Sequence, residues 1–422
     1  MKNIRIGIVG IGTMGKGLLY QSHITPRIEC VAVCDIDIQK CIDALNMLQL
    51  PFELVNSSGE MDRAILQNKV AVCENGNWVS ECSSLHAVVE ASSSIIPASL
   101  HAVNALNNRK HLILMNSEID LIFGLLLSDV ARKNGVVCTS SDGDQYGVLK
   151  NLIDEIRFWG FDLVMAGNIK GFLDRYSNPT KIIPEAEKRK LDYRMCTAYT
   201  DGTKLNIEMA LIANACGMFT LKPGMQGPKA AHVKDVFKHF DFNQLWKDRR
   251  PFVDYILGAE PEGGVFVIGY CNNPYQKDML SYYKMGEGPF YIFYRPYHLC
   301  HIEAMDTIIK AVSENRVLLA PDYGMQTNVY AFAKRDLQPG DRLDGVGGYT
   351  CYGMIENLGD NTDSPGLPIC LADHITLNNA VKKDQKILMS DISYDSERID
   401  FRLYRKVMAL SGQQLYFGEK SR

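Results

Sequence analysis

The chain has 422 residues, 46% hydrophobic and 22% charged, with a formal net charge of −4. These values describe a globular protein of two or three domains with ample core material. They exclude a nucleic-acid-binding role, which needs a basic face. No run approaches the ~18 apolar residues of a membrane span, and the opening MKNIRIGIVGIGTMG lacks the long apolar core and cleavage site of a secretory signal. The twelve cysteines form no Cys-x-x-Cys pair, which disfavours a zinc ribbon. Scattered in apolar runs, they read as core residues in a reducing compartment. The expected setting is cytoplasmic, with no membrane or nucleic-acid partner.

In chain order, residues 4–9 read as a strand, 14–22 as a helix, 28–34 as a strand ended by Asp35, and 38–48 as a helix. Further strands are expected at 70–73, 86–91, 111–115 and 136–140, with helices at 97–108 and 121–133. Strands alternating with helices imply a parallel sheet with crossover helices. The pattern changes after Asp144. Residues 265–270 and 290–294 read as strands among longer helices. From Arg316, stretches such as Val317–Ala320 and 329–333, followed by the turn-rich 336–341, read as a small β-rich segment. The expected fold is α/β: an N-terminal Rossmann domain over 1–145, a central α+β catalytic domain over 146–315, and a small β-rich domain with a tail over 316–422.

The strongest motif is Gly10-x-Gly12-x-x-Gly15, between a strand and a helix. Gly10 permits the tight turn, Gly12 lets backbone approach a pyrophosphate, and Gly15 lets helix pack on strand. Thr13 and Met14 open the helix, whose free N–H groups suit phosphates. Asp35 stands where an acid hydrogen-bonds the adenosine ribose and leans toward NADH, while Lys40, one helical turn on, keeps NADPH open. Ser92, Ser93 and Ser94 end the 86–91 strand and either line the nicotinamide side or cap the next helix. Asn116, after the fifth strand, completes the expected cofactor set.

Hydride transfer also needs a proton carrier and groups that fix the substrate. Lys170 lies between glycines in Gly167-Asn-Ile-Lys-Gly171. Thr200-Asp-Gly-Thr-Lys204 opens a helix on which Lys204 and Glu208 share a face, and its small apolar residues suggest a buried helix. Lys170, Lys204, Glu208 and Asp201 are the catalytic candidates. Asp144 and Gln145, in Ser141-Asp-Gly-Asp-Gln-Tyr146, join Arg295 and His298 as substrate-binding candidates. His298, His301 and Glu303 have metal-like spacing, but no further ligand follows from the sequence, and no metal site is assigned.

These motifs, with Pro223-Gly-Met, Gly258-Ala-Glu-Pro-Glu-Gly-Gly264, Tyr294-Arg-Pro-Tyr-His-Leu-Cys-His301 and the 331–341 stretch, resemble the homoserine dehydrogenase-like proteins that carry a C-terminal SAF domain. The resemblance covers nearly the whole chain. It implies an NAD(P)H-dependent reductase of a small, phosphorylated, keto-sugar-like or hydroxy-carbonyl substrate. Because the family includes 1-deoxy-D-xylulose 5-phosphate reductoisomerase-like enzymes, it also implies a reductoisomerase forming 2-C-methyl-D-erythritol 4-phosphate, and with it a place in isoprenoid or carbohydrate metabolism. A homo-oligomer is the default expectation for such enzymes. Homoserine dehydrogenases carry a lysine after the fifth strand, where this chain has Met115-Asn-Ser-Glu118, and this departure weakens the homoserine dehydrogenase alternative. A non-catalytic dinucleotide- or carbohydrate-binding protein is the third reading.

Overall fold

The computed structural model describes residues 3–360 and 365–412. Two compact units share the chain. The first takes residues 1–144, 299–320 and the described part of 396–415; the second takes 145–298 and 321–395.

The first unit opens with β1 (Ile4–Val9), α1 (Thr13–Ile24), β2 (Ile28–Cys34), α2 (Ile38–Met47), β3 (Phe52–Leu54), α3 (Ser58–Leu66), β4 (Val70–Cys73) and α4 (Gly76–Glu81). It continues with β5 (Ala87–Glu90), α5 (Ile96–Asn107), β6 (His111–Leu114), α6 (Ser117–Asn134) and β7 (Cys138–Ser140). The strands form one seven-stranded sheet in the order β3-β4-β2-β1-β5-β6-β7, and every pairing in it is parallel. Strands covered on both faces must be apolar throughout, and β4 (VAVC) and β5 (AVVE) are buried at every position. The strand order reverses between β1 and β5, so the crevice at their carboxyl ends is the place for a dinucleotide. This is a Rossmann unit.

The second unit contains α7 (Gln145–Phe158), β8 (Asp162–Lys170), α8 (Ile183–Arg189), α9 (Tyr193–Thr200), α10 (Thr203–Cys216), β9 (Phe219–Thr220), α11 (Val236–His239) and α12 (Phe242–Leu245). After them come β10 (Phe252–Leu257), β11 (Val265–Tyr270), α13 (Pro274–Tyr282) and β12 (Phe290–Arg295). The five strands order as β12-β11-β8-β10-β9, with β8, β10 and β9 parallel and β11 and β12 antiparallel. One face carries a core of Phe240, Phe242, Phe252, Phe266 and Trp246. Helices α7 and α10 pack on the sheet as well.

Helix α14 (Cys300–Glu314) was expected to close the central domain. It belongs instead to the first unit, where Ala304, Met305, Ile308 and Ala311 enter the Rossmann core. Strands β13 (Thr327–Ala333), β14 (Arg342–Asp344), β15 (Cys351–Asn357), β16 (Asp373–Leu377) and β17 (Ile392–Ser393) follow in the second unit. Helix α15 (Ile399–Leu410) returns to the first unit and packs on α6. Val317–Ala320 is not a strand. Its backbone is held by Thr139, whose Oγ1 accepts from Leu318 N (2.9 Å) and Leu319 N (3.1 Å). No described helix is long and apolar enough to cross a membrane.

The segment after β13 is locked to α9 by a buried ion pair. Lys334 Nζ lies 2.8 Å from Asp201 Oδ2 and donates to Ser177 O and Gly348 O at 2.7 Å each. Two backbone carbonyls and an opposite charge thus surround the ammonium, and pairing of this kind is what lets a buried charge be tolerated. Lys334→Met should lower stability by about 3–5 kcal/mol, because Asp201 is left buried and unpaired. Adding Asp201→Asn should restore part of the loss. Urea unfolding followed by Trp159 and Trp246, both in this unit, measures it; equal midpoints for Lys334→Met and wild type would contradict it.

Candidate active site: a dinucleotide turn and a buried lysine–acid cluster

In the first unit, the carboxyl end of β1 enters the Gly10–Gly15 turn. Gly10 has φ +94°, and a Cβ there would lie 2.5 Å from Ser92 N. A Cβ on Gly15 would lie 1.9 Å from Gly10 O. Both positions therefore demand glycine. Gly12 differs: its φ is −72°, and a Cβ would meet no heavy atom within 4 Å. Fold packing does not require glycine at 12, whereas close approach of a pyrophosphate does. Thr13 and Met14 start α1, whose N-terminus has no side-chain cap, so its N–H groups suit phosphate oxygens. The residues present fit a dinucleotide.

Asp35 sits at the end of β2, as expected. Its Oδ2 accepts from Ile11 N (2.7 Å) and its Oδ1 from Asp37 N (3.0 Å), so the acid also shapes the glycine turn. Lys40 lies 4.0 Å from Asp35 and 3.8 Å from Asp37. Ser92 donates through both N and Oγ to Glu90 Oε1, and its Oγ is 2.9 Å from Ser94 Oγ. Ser93 is exposed. Asn116 caps α6, accepting from Ile119 N, and donates to Ser94 O at 2.7 Å. Asn116 and Ser92 thus brace the loop after β5.

Glu90 escaped the sequence reading. It is 1% exposed at the end of β5, against the Gly10 turn. Burial pushes its carboxyl up to about 7, against hydrogen bonds from Ser92 that lower it. Burial likewise raises Asp120 on α6 to about 7, where Ser140 Oγ donates to it. Glu118 is also buried, and Ser117 Oγ donates to its Oε2. This edge of the first unit therefore carries three buried acids, Glu90, Glu118 and Asp120.

In the second unit, Glu208 and Asp201 act on Lys170 at the carboxyl edge of β8. Lys170 is its last residue and is half-buried. Burial lowers its pKa and Arg189 lowers it further, while the negative charges of Glu208 and Asp201 act in the opposite sense. Those two acids lie on the segments of α9 and α10. All 14 residues of α10 are buried. At about 100° per residue, Lys204 and Glu208 share one face, while Thr203, Asn206 and Asn214 share another, about a third of a turn away. The second face is structural. Thr203 Oγ1 accepts from Gly353 N (2.8 Å), Asn206 Oδ1 from Ile355 N (2.9 Å), and Asn214 Oδ1 from Thr327 N (2.9 Å).

Asp201 is fully buried and committed to Lys334. Burial raises the pKa of its carboxyl, against the Lys334 ammonium that lowers it. Arg295 ends β12 and pairs with Val265, which in turn pairs with Asn168 of β8. Arg295, Asn168 and Lys170 therefore share one sheet face near one edge. The Arg295 guanidinium stacks 4.6 Å from the Tyr297 ring centre. Gln145, first residue of α7, places Nε2 3.4 Å from His298 Nε2. Asp144 directly precedes that helix and belongs to the first unit. His301 has a different place from His298: its ring packs on Gly17 of α1.

Residues 143–304 match the family described as oxidoreductase DRL, catalytic domain. The curated proteins contain no match. Similar solved structures include a probable dehydrogenase from Thermotoga maritima, at 11% identity over 76% of this chain and 92% of that one, with TM-score 0.44. Another is scyllo-inositol dehydrogenase from Lactobacillus casei with NAD(H) and scyllo-inositol, at 12% identity over 76% and 93%, TM-score 0.41. A third is a DOX-P reductoisomerase with NADPH, fosmidomycin and magnesium, at 14% identity over 49% and 57%, TM-score 0.35. The chain thus joins a Rossmann unit, whose glycine turn fits a dinucleotide, to a segment similar to an oxidoreductase catalytic domain.

Gly12→Ala should leave the thermal midpoint unchanged and weaken NADH and NADPH binding more than about tenfold, because the methyl group enters space that only ligand fills. Calorimetric titration checks it, and unchanged affinity would refute it. For Glu90, the native carboxyl keeps its proton up to about 7, while its unperturbed value is 4.5. The native state then binds more protons between those values, so stability falls as pH rises through that window. Glu90→Gln should raise the melting temperature more at pH 8 than at pH 5; the reverse order would contradict this assignment.

Proposed function

We propose that the protein reduces a small, phosphorylated, keto-sugar-like or hydroxy-carbonyl compound with NADPH or NADH. The observation that carries this reading is the cluster of Lys170 with Glu208, Lys204 and Asp201 at the carboxyl edge of β8. A half-buried lysine whose pKa is lowered by burial gives up its proton more readily than a solvated one, as a general acid must. The bound dinucleotide supplies hydride at its nicotinamide ring. Lys170 donates the proton that the new alkoxide needs. The negative charge of Glu208, on α10, favours the ammonium form of Lys170, which takes its next proton from solvent. Arg295, stacked on Tyr297, suits a phosphate or carboxylate by its planar donor fork. His298, held by Gln145, offers a ring N–H or lone pair to a substrate hydroxyl.

Formation of 2-C-methyl-D-erythritol 4-phosphate from 1-deoxy-D-xylulose 5-phosphate is the specific reaction of this class that the reading favours. The homoserine alternative is disfavoured by Glu118, a buried acid where that reaction uses a lysine. A homo-oligomer remains part of the proposal.

Lys170→Met should lower kcat for 1-deoxy-D-xylulose 5-phosphate by about 100-fold or more, with the Kd for the dinucleotide within about twofold of wild type. Since donation needs the ammonium form, wild-type kcat/KM should fall as pH rises through the lowered lysine pKa. Dinucleotide oxidation at 340 nm reads both, and full turnover in Lys170→Met would reject the assignment. Lys40→Ala should weaken NADPH use relative to NADH, because it removes the cation beside Asp35 that meets a 2′-phosphate. An unchanged NADPH-to-NADH ratio would exclude that role.

A further inference from the structure

Asn168 lies on β8 two residues before Lys170 and is 0% exposed. Neither its amide oxygen nor its amide nitrogen has a hydrogen-bond partner among the described residues. Leaving a buried amide unpaired is costly, so its retention in a strand core calls for a functional account. The neighbours of Asn168 sharpen the anomaly. In register beside it stand Tyr255 of β10 and Val265 of β11, and Val164 and Ala166 precede it on the same face of β8. An aliphatic residue would fit this row without loss of packing.

Side chains two apart on a strand share a face, about 7 Å apart along it. Lys170 is thus the next side chain toward the sheet edge, and a lysine stem is long enough to fold back over that distance. The charged groups that act on Lys170 are Glu208 of α10, Asp201 after α9 and Arg189 of α8. None of them supplies a neutral acceptor fixed in the strand itself.

We propose that Asn168 is a positioning residue for Lys170: its amide oxygen, unpaired in this structure, accepts from the protonated amine when the lysine folds back along the strand, and so fixes the height at which the lysine presents its proton. This rests on the proposed role of Lys170, yet the pairing is measurable without turnover. An acceptor that cannot leave the strand stabilises the charged form of the lysine without neutralising it. It therefore sets both where the amine sits and the pH at which it discharges.

Competitive labelling of the intact protein with acetic anhydride, read by mass spectrometry, gives the titration midpoint of each lysine. Asn168→Leu should lower the Lys170 midpoint by about half a unit or more, and Asn168→Asp should raise it, because one removes the acceptor and the other adds negative charge. Lys204 should move less than Lys170 in both variants. Circular dichroism checks that each variant is folded; if Asn168→Asp is not, Asn168→Leu decides alone. A Lys170 midpoint in Asn168→Leu equal to wild type, or a shift confined to Lys204, overturns the proposal. If Lys170→Met keeps full turnover while Asn168→Leu still moves the midpoint, the pairing stands and the catalytic assignment falls.

Discussion

The second unit depends on helix α10 being buried along its whole length. A helix covered on all sides normally carries no charge, since an isolated buried ion costs several kcal/mol. This one carries Lys204 and Glu208 on a single face. The burden is eased because Glu208 acts on Lys170, and because Lys334 lies 2.8 Å from the buried Asp201. The polar face made by Thr203, Asn206 and Asn214 fastens β13 and β15 to the helix through backbone N–H groups. The late strands of the chain therefore clamp the element that holds the candidate acid and lysine in place.

A similar economy governs the first unit. Asp35 closes the glycine turn by accepting from Ile11 N, so one carboxylate both builds the loop and stands at the ribose position. Glu90 does the same for the loop after β5 through Ser92. Residues that shape ligand loops in this way link stability to the charge state of the site. Burial at that loop is what raises the Glu90 carboxyl to about 7.

Much of the first unit was legible in the sequence, because parallel strands buried on both faces are short apolar runs and the fingerprint marks the turn from β1 to α1. The short elements β3, α3 and α4 escaped, each having too few residues for a period to emerge. Helix α6 begins at Ser117, not at 121, since Asn116 caps it and the buried Glu118 and Asp120 disguise its first turn as a polar loop. Long-range returns were also hidden. Nothing local in 300–314 or 399–410 tells that α14 and α15 pack on the Rossmann unit, and nothing near Asp201 points to Lys334. At the site, Lys204 and Glu208 were readable from their spacing in a small-residue helix. Asn168 was not, because a single amide in an apolar strand looks like a tolerated exception until its partners are counted.

The central claim is that reduction takes place at the carboxyl edge of β8 under the control of Lys170. A crystal structure with a nicotinamide dinucleotide and 1-deoxy-D-xylulose 5-phosphate bound tests it most directly. The account predicts a substrate oxygen about 2.6–3.2 Å from Lys170 Nζ. Substrate bound elsewhere, for instance in the cavity lined by Asn3, Arg5 and His23 at the opposite end of β1, with Lys170 out of reach, would contradict it.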